Sequence, residues 1–259
     1  MIKILNEAIA DLKRAGVETP KLDAEVLLAH ALGCERHELY TSDRRYAIPP
    51  DDAKRFKTYI RRRKRREPVA YIRGFKEFWS LNIKVTPAVL IPRPETEAVV
   101  EKALELLDPS TRPSGSLRMT VLDLCTGSGC IAAALATEMP SAQITVTDIS
   151  EEALKIARQN LEFAKDRVTF LHSNLFEKVT GRFDLIVSNP PYIPAAQCTQ
   201  LMPEVFQHEP RLALDGGRDG LDFIRKIRQD APNFLKPNGW LVMESGPEIE
   251  VLNEASCKN

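Results

Sequence analysis

The sequence predicts an α/β protein in which a mainly parallel β-sheet is covered by helices and follows a helical domain and a bridging β-hairpin. Three patterns lead to this fold class: apolar residues at helical spacing over residues 1–75, an alternating segment over 76–91, and a strand–helix rhythm over 92–259. Strands that alternate with helices favour right-handed crossovers and a parallel sheet. These three ranges are the predicted domains.

The composition is that of an ordinary globular protein. The chain has 259 residues, of which 43% are hydrophobic and 28% charged, and no apolar run approaches the roughly 20 residues that span a bilayer. Its five cysteines show no CxxC spacing and its four histidines form no ligand-spaced cluster, which predicts reduced thiols and no metal site. Because the N-terminus lacks the pattern of a signal peptide, we expect a cytoplasmic protein without membrane association.

The predicted N-terminal domain has the pattern of successive helices. Apolar side chains recur at helical spacing over residues 4–12, as expected of an amphipathic helix. The pair Thr19-Pro20 is typical of a helix N-terminus. A further helix is predicted to begin near Asp51 and to run into the basic sequence RRRKRR at 61–66.

The charges are divided unevenly along the chain. Residues 1–75 carry 17 basic and 11 acidic residues, net +6, whereas residues 76–259 carry 19 and 25, net −6. The basic run at 61–66 allows two interpretations: a solvated helix end, or a patch for an acidic partner or RNA.

The remaining elements follow from periodicity and from glycine and proline. Residues 76–91 are rich in aromatic and β-branched residues, which predicts a hairpin, and the sequence PRPE at 92–95 precedes a helix. Residues 108–116 have the composition of a loop. The predicted strands beyond it are 119–124, 143–147, 167–171, 183–188 and 240–243, and the predicted helices between them are 131–138, 151–163 and 221–234.

The sequence VLDLCTGSGC at 121–130 places a glycine-containing turn between a strand and a helix. Glycine in such a turn lets the backbone approach a ligand closely. Asp148 follows 19 residues beyond Gly129, at the end of the next strand, where a carboxylate can bind both hydroxyls of a ribose. A tight turn and a helix-capping aspartate remain the alternative, since the spacing lacks the full GxGxxG of dinucleotide-binding proteins.

The sequence FDLIVSNPPY at 183–192 indicates a ligand site more specifically than the turn at 121–130 does. Pro190 biases Asn189 toward an extended backbone, and Pro190 offers only a carbonyl because proline has no N–H. With the side-chain oxygen of Asn189, two acceptors lie side by side and suit a planar NH2 group, on which Tyr192 can stack. A proline-rich turn after a strand is the alternative.

Asn189 cannot act as a general base, because its amide is neutral. The reaction must therefore suit a poorly nucleophilic planar nitrogen without strong deprotonation, and a highly electrophilic methyl donor satisfies that condition. Hydrogen bonds to the two N–H groups would orient the nitrogen and enrich it in electron density.

These motifs resemble S-adenosylmethionine-dependent amino methyltransferases. Three further segments resemble the HemK/PrmC family specifically: EPVAYIRGFKEFW at 67–79, VTPAVLIPRPETE at 85–97 and EPRLALDGGRDGL at 209–221. That family methylates the side-chain amide of the glutamine in the GGQ motif of peptide chain release factors. The resemblance covers about residues 1 to 250 and implies a Rossmann-like methyltransferase sheet, S-adenosylmethionine as cofactor and residues 1–75 as the substrate-recognition domain.

The resemblance also implies roles for single residues. Cofactor binding is expected of Cys125, Thr126, Gly127, Ser128 and Gly129 around the methionine part, Asp148 at the ribose, Asn174 and Leu175 at the adenine, and Asn189. Substrate binding is expected of Asn189, Pro190, Pro191, Tyr192 and Arg93, of which Asn189, Pro190 and Tyr192 are the expected catalytic residues.

Two other functions stay open at this point. One is an RNA or DNA adenine amino methyltransferase, since NPPY is shared with those enzymes, although they normally carry a basic cleft and residues 76–259 have net charge −6. The other is a catalytically silent protein that binds a release factor. The leading expectation is a monomeric enzyme with release factors as protein substrates and no direct nucleic-acid contact.

Two departures from the family pattern carry expectations of their own. Cys125 stands where the family commonly has glycine, and we expect it in an ordinary β conformation because positive φ would cost about 1–2 kcal/mol. The family sheet ends with a helix and two more strands, but 15 residues follow Glu244 here. We expect a short helix over 248–255, no further strand, and therefore a sheet of fewer than seven strands.

Overall fold

The structure, a computed structural model, describes residues 1–40, 48–107, 119–246 and 248–253. The loop predicted over 108–116 lies outside these ranges. No helix within them is long and apolar enough to cross a bilayer.

The described chain forms two compact units. The helical unit comprises Met1–Gly74 together with Met202–His208, and the sheet unit comprises Phe75–Leu201 together with Glu209–Asn259. A segment from the second half of the sequence thus belongs to the N-terminal unit. The three predicted domain ranges stay a prediction.

The helices and strands alternate along most of the sheet unit, as predicted. In chain order the helices are α1 (Ile2–Arg14), α2 (Pro20–Leu32), α3 (Pro50–Lys64), α4 (Val69–Arg73), α5 (Glu97–Leu107), α6 (Cys130–Glu138), α7 (Glu151–Asn160), α8 (Pro203–His208) and α9 (Asp222–Asp230). The strands are β1 (Phe75–Phe78), β2 (Leu81–Lys84), β3 (Thr120–Leu124), β4 (Gln143–Asp148), β5 (Val168–His172), β6 (Phe183–Ser188), β7 (Leu235–Glu244) and β8 (Ile249–Asn253).

The helical unit is built around the apolar faces of its first helices. Leu12 of α1, Leu27 of α2 and Phe56 of α3 are fully buried in one cluster. Pro20 is the first residue of α2, where its missing N–H costs no helix hydrogen bond. Gly33 ends α2 with φ of +62°, a conformation that glycine adopts without steric penalty.

The central sheet has the order β5-β4-β3-β6-β7-β8. Strands β3 to β7 pair in parallel, and β8 pairs antiparallel with β7. β1 and β2 form a separate antiparallel hairpin. The predicted α/β class with a mainly parallel sheet is confirmed.

The C-terminal segment differs from its prediction. The described part of 248–255 contains β8 rather than a helix, so the predictions of a short helix and of no further strand are both wrong. The open edge of β7 explains the difference, because its unpaired N–H and C=O groups can be satisfied by another strand. Val251 lies opposite Val242 in this pairing, and β-branched residues fit a pleated surface. The described sheet has six strands, fewer than seven as expected.

A buried apolar layer holds the strand ends that form the site. Leu124 of β3, Ile186 of β6 and Met243 of β7 are fully buried and belong to one cluster. Close packing of this kind leaves little room for displacement. The side chains just beyond these strand ends are therefore carried on a rigid base.

Candidate active site

The candidate site lies where the strand order of the sheet reverses. β3 pairs with β4 on one side and β6 on the other, and ligands of open α/β sheets bind outside the carboxyl ends at such a point. A cavity of about 410 Å³ opens there, within the range of about 300–1,000 Å³ typical of small-molecule sites. Its wall includes the apolar side chains Val89, Leu90, Ile131, Ile149 and Phe223.

The cavity brings together most of the residues predicted for the cofactor. Its wall contains Cys125, Thr126, Gly127, Ser128, Asp148, Asn174, Leu175 and Asn189. Arg93 and Pro191, predicted for the substrate, also line it. Gly129, Pro190 and Tyr192 are not among the lining residues.

Cys125 has φ of +57°, so the expected β conformation is wrong. The chain reverses sharply at the end of β3, and the next residue is fixed twice: the Thr126 N–H donates to the Thr147 carbonyl at 2.9 Å, and the Thr126 hydroxyl donates to Asp123 at 2.6 Å. These bonds offset a conformational cost of about 1–2 kcal/mol at Cys125. Burial raises the pKa of the Cys125 thiol far above its usual range.

The two glycines of the turn have different roles. Gly127 has φ of +54° and lines the cavity, and a Cβ there would approach only the Cys125 carbonyl oxygen, at 4.0 Å. Gly129 caps α6, and a Cβ there would lie 3.1 Å from the Cβ of Ala157. The absence of a side chain at Gly127 thus leaves its backbone exposed to the cavity. The absence of a side chain at Gly129 allows α6 to pack closely on α7.

Asp148 ends β4 and is held by backbone N–H groups. Its Oδ2 accepts from the Gly127 N–H at 2.9 Å and its Oδ1 from the Ser150 N–H at 2.8 Å. Burial raises the pKa of Asp148, although these two hydrogen bonds oppose the shift. A carboxylate oxygen can accept more than one hydrogen bond, so both oxygens retain capacity for a ligand hydroxyl.

A second aspartate, Asp123, lies beneath the turn. It is fully buried in β3, and burial raises its pKa to about 7 although the Thr126 hydroxyl donates to it. Its sequence signal is an acidic residue inside the apolar strand VLDL. Asp123 therefore fixes the turn from below and supports its shape.

Asn174 and Leu175 follow β5 at the far end of the cavity. Leu175 has φ of +47°, which turns the chain immediately after Asn174. The Asn174 side-chain N–H donates to Glu177 at 2.8 Å, and the buried Ser173 hydroxyl donates to the Leu175 carbonyl at 3.0 Å. The cavity wall at this end is thus held by short local hydrogen bonds.

Asn189 follows β6 and takes part in a hydrogen-bond chain that its motif does not reveal. Its Nδ2 donates to Thr96 Oγ1 at 3.0 Å, and the Thr96 hydroxyl donates to Glu244 Oε2 at 2.7 Å. The Tyr192 hydroxyl donates to the other oxygen, Glu244 Oε1, at 2.9 Å. Burial, followed by the effect of Glu244, raises the pKa of Tyr192 above its usual value, so this phenol stays protonated at neutral pH.

Two glycines of the segment 209–221 pack against the backbone of NPPY, and a third bonds to the residues that follow it. A Cβ on Gly216 would lie 2.8 Å from the Pro191 carbonyl oxygen, and one on Gly220 would lie 2.4 Å from that of Tyr192. The Gly217 carbonyl accepts from the Ala195 N–H at 2.8 Å. Any side chain at Gly216 or Gly220 would displace the loop that carries Asn189.

Arg93 is tied to the same segment. It forms an ion pair of 2.5 Å with Glu209, whose other oxygen accepts from the Ile91 N–H at 3.2 Å. Glu209 is buried, and its side chain is only 1% exposed. Two of the segments on which the family resemblance depends are therefore joined by one carboxylate.

The basic run at 61–66 is largely paired within the helical unit. Arg63 is buried and binds Asp23 and Glu204, each at 2.7 Å, and Arg66 binds Glu204 at 2.6 Å. For Arg63 the interpretation as a solvated helix end is wrong. Arg61, Lys64 and Arg65 are exposed.

The fold and the site together define a Rossmann-like methyltransferase. A family model described as methyltransferase small domain matches residues 100–218. The hMettl16 catalytic domain, solved in complex with a MAT2A 3′UTR hairpin, superposes with a TM-score of 0.50 over 74% of this chain and 66% of that chain, at 17% identity. At that identity the likeness shows the fold alone.

Sequence relatives narrow the class to one family. A family model described as PrmC N-terminal domain matches residues 3–74. A release factor glutamine methyltransferase from Geobacter sulfurreducens is 45% identical over 94% of this chain and 83% of its own, and one from Rhodopirellula baltica is 43% identical over 96% and 84%. The chain belongs to the release factor glutamine methyltransferase family, which confirms the predicted membership.

Proposed function

We propose that this protein transfers a methyl group from S-adenosylmethionine to the side-chain amide nitrogen of the glutamine in the GGQ motif of peptide chain release factors. The observation that carries the proposal is the state of Asn189. Its side-chain nitrogen donates to Thr96, so its oxygen is left as an acceptor, and the carbonyl of the next residue, Pro190, would supply a second one. An amide NH2 offers two hydrogens to two such acceptors.

The cavity residues fit the cofactor. Gly127 presents backbone without a side chain, which suits close approach of the methionine part, and Asp148 keeps acceptor capacity for the ribose hydroxyls. Asn174 and Leu175 would flank the adenine from the end of β5. When bound, S-adenosylmethionine supplies an electrophilic methyl group carried on a sulfonium.

The protein acts on the substrate by orientation rather than by deprotonation. Asn189 and Pro190 accept from both amide N–H groups, which holds the nitrogen lone pair in line with the methyl group. Asn189 and Pro190 would thus hold the nitrogen toward the methyl group that bound S-adenosylmethionine would supply, and the electron pair of the broken sulfur–methyl bond would stay on the cofactor. The nitrogen then loses one proton to water, because Asn189 is not basic and Tyr192 already holds its own proton.

The other two functions considered from the sequence have weaker support. Residues 76–259 carry net charge −6, whereas nucleic-acid enzymes use basic surfaces to bind phosphates. A silent binding protein would have no need of a free acceptor at Asn189 or of an open turn at Gly127. Family membership favours the methyltransferase with a protein substrate over both.

Release factor recognition is assigned to the helical unit. Its exposed cations Arg61 and Arg65 are available to an acidic surface, and residues 1–75 have net charge +6. Because release factors act in translation, the proposal places the protein in the cytoplasm, where it works as a monomer.

Mass spectrometry tests the proposed function. The full chain is incubated with S-adenosylmethionine and a release factor, and the peptide that contains GGQ should gain about 14 Da, the mass of one CH2. A release factor with alanine in place of this glutamine is the matched control and should gain nothing. Methylation of added DNA or RNA together with an unmodified release factor would contradict the proposal.

A further inference from the structure

Glu244 is the last residue of β7, the neighbour of β6 in the sheet, and lies outside the sequence motifs that predict the site. It is 2% exposed, as is Thr96. Its two carboxylate oxygens accept from two hydroxyl groups, those of Thr96 at 2.7 Å and Tyr192 at 2.9 Å. This buried carboxylate thus accepts from two neutral hydroxyl groups, one of which belongs to NPPY.

The chemistry of these groups gives the hydrogen bonds a fixed direction. A threonine hydroxyl has one proton to donate, and the Thr96 hydroxyl donates it to Glu244. The Thr96 oxygen can then only accept from Asn189, which turns Nδ2 toward Thr96 at 3.0 Å. The oxygen of the Asn189 amide is consequently the atom left for a ligand.

This direction matters because an asparagine amide has nearly the same shape in its two orientations. If the amide were reversed, Asn189 would present an NH2 group to the NH2 group of the substrate, and a donor would face a donor. A polar group left without a partner in the bound complex weakens binding of the amide. Only one orientation therefore favours the bound glutamine.

We propose that Glu244 is a positioning residue that sets the orientation of the Asn189 side-chain amide through the Thr96 hydroxyl. Glu244 does not touch the substrate in this arrangement; it determines which atom of Asn189 does. The inference rests on the proposed function and adds a residue to the machinery for amide recognition. It also gives Thr96, in the segment VTPAVLIPRPETE, a chemical role.

The E244Q variant tests the inference without changing the shape of the side chain. Its NH2 group can donate to Thr96, which frees the Thr96 hydroxyl to donate to the Asn189 oxygen and stabilises the reversed amide. We expect kcat toward a release factor to fall about ten- to a hundredfold. The Kd for S-adenosylmethionine should stay within about twofold.

Variants of Thr96 test whether Glu244 acts on Asn189 through the Thr96 hydroxyl. T96V removes the hydroxyl and should lower kcat by a similar factor, whereas T96S keeps the hydroxyl and should restore most of it. The T96V/E244Q double variant should be no slower than the slower single variant, since both changes interrupt one chain.

The D184N variant is a control that shows what the loss of a hydrogen-bonded carboxylate does at a position outside the site. Asp184 also accepts from a threonine hydroxyl, that of Thr120 at 2.9 Å, but it lies near the start of β6, at the other end of the strand from Asn189. D184N should lower the melting temperature and leave kcat unchanged. A purely structural role for Glu244 would make E244Q behave in the same way.

The outcomes separate the inference from the proposed function. An active wild type with full kcat in E244Q would overturn the inference alone, and so would a slow E244Q beside a fully active T96V. If the wild-type protein methylates no release factor, the proposed function fails and the inference fails with it.

Discussion

Arg63 in the helical unit is a buried polar side chain, whereas Asn189 in the sheet unit is a partly buried one that lines the cavity. Their hydrogen-bond partners differ in which atoms they leave free. Arg63 is bound by Asp23 and Glu204, and its Nη1 also donates to the Glu67 carbonyl at 3.3 Å. Among the described residues, the side chain of Asn189 bonds to the protein through its nitrogen alone. The Arg63 guanidinium thus stabilises the helical unit through its ion pairs. The Asn189 amide, which is neutral, keeps its side-chain oxygen available to a ligand in the cavity.

The comparison shows that charge density in a sequence is a poor guide to a ligand site. RRRKRR is the most conspicuous run in the chain, yet its central arginine is an internal structural group. NPPY carries no charge, but its fixed backbone and one correctly oriented amide define a binding geometry. The atoms that remain unpaired after folding are the ones available for function.

Breaking the Arg63 cluster should have the largest effect. Arg63→Met leaves Asp23 and Glu204 without their central cation, and removal of one partner of a buried ion pair costs about 3–5 kcal/mol. The free energy of unfolding, measured by urea denaturation, should fall by this amount. Arg61→Met, at an exposed position of the same run, should change it by less than about 0.5 kcal/mol. Equal effects at the two positions would contradict the assignment of Arg63 as structural.

Breaking the Asn189 site should leave stability largely intact and remove catalysis. Asn189→Ala deletes one of two substrate acceptors, and loss of such a group costs about 3 kcal/mol or more in transition-state stabilisation. The turnover number toward a release factor should fall at least about a hundredfold. The Kd for S-adenosylmethionine should change little. A variant that keeps most of its turnover number would remove Asn189 from the site.

Asp148→Ala tests the neighbouring cofactor site. A hydrogen bond to a charged group contributes about 1.5–3 kcal/mol, so the Kd for S-adenosylmethionine measured by calorimetry should rise about ten- to a hundredfold. Asp148→Asn, which keeps an acceptor, is the matched control and should have a smaller effect. An unchanged Kd in the alanine variant would mean that the ribose binds elsewhere.

The pH dependence of stability sharpens the description of the Arg63 cluster. Burial alone would raise the pKa of Glu204, but hydrogen bonds from Arg66 and Arg63 lower it to about 2. A carboxyl whose pKa is lowered by folding contributes stability above its unfolded value of about 4.3, and this stability is lost as pH falls through the folded value. Glu204→Gln should therefore be less stable than the wild type at pH 7, and the difference should shrink toward pH 2. A difference independent of pH would contradict the ion pairs.

The smallest effect is expected from the exposed cations of the basic run. Arg61→Glu and Arg65→Glu should raise the KM for the release factor a few-fold at low salt, with little change in the free energy of unfolding. The effect should fade as ionic strength rises, because salt screens exposed charges. Unchanged KM at low salt would leave the run without a role in substrate capture.

Much of the sheet unit could be predicted because its local signals agree with its tertiary structure. The predicted strand 183–188 coincides with β6, and Asp148 lies at the end of β4. Apolar β-branched runs between polar turns have few alternatives in an α/β chain. The same reasoning placed Asn189 at a strand end beside the turn at 125–129.

The features that the sequence did not predict share one physical cause: each depends on contacts between residues that are distant in the chain. β8 forms because β7 offers an open edge, and no local pattern in Ile249–Asn253 reveals that edge. Cys125 adopts positive φ because the bonds of Thr126 fix the turn. Glu244 lies 148 residues from Thr96, a separation at which no sequence spacing indicates contact.

The raised pKa of Cys125 has a consequence for chemical selectivity. Its sulfur lies in the wall of a cavity that, in the proposed function, holds a reactive alkylating agent. Thiolates are far better nucleophiles than amides, but a thiol that stays protonated reacts slowly. The raised pKa therefore keeps the Cys125 thiol protonated and slow to react, so that a weakly nucleophilic amide held in line can be the group that accepts the methyl.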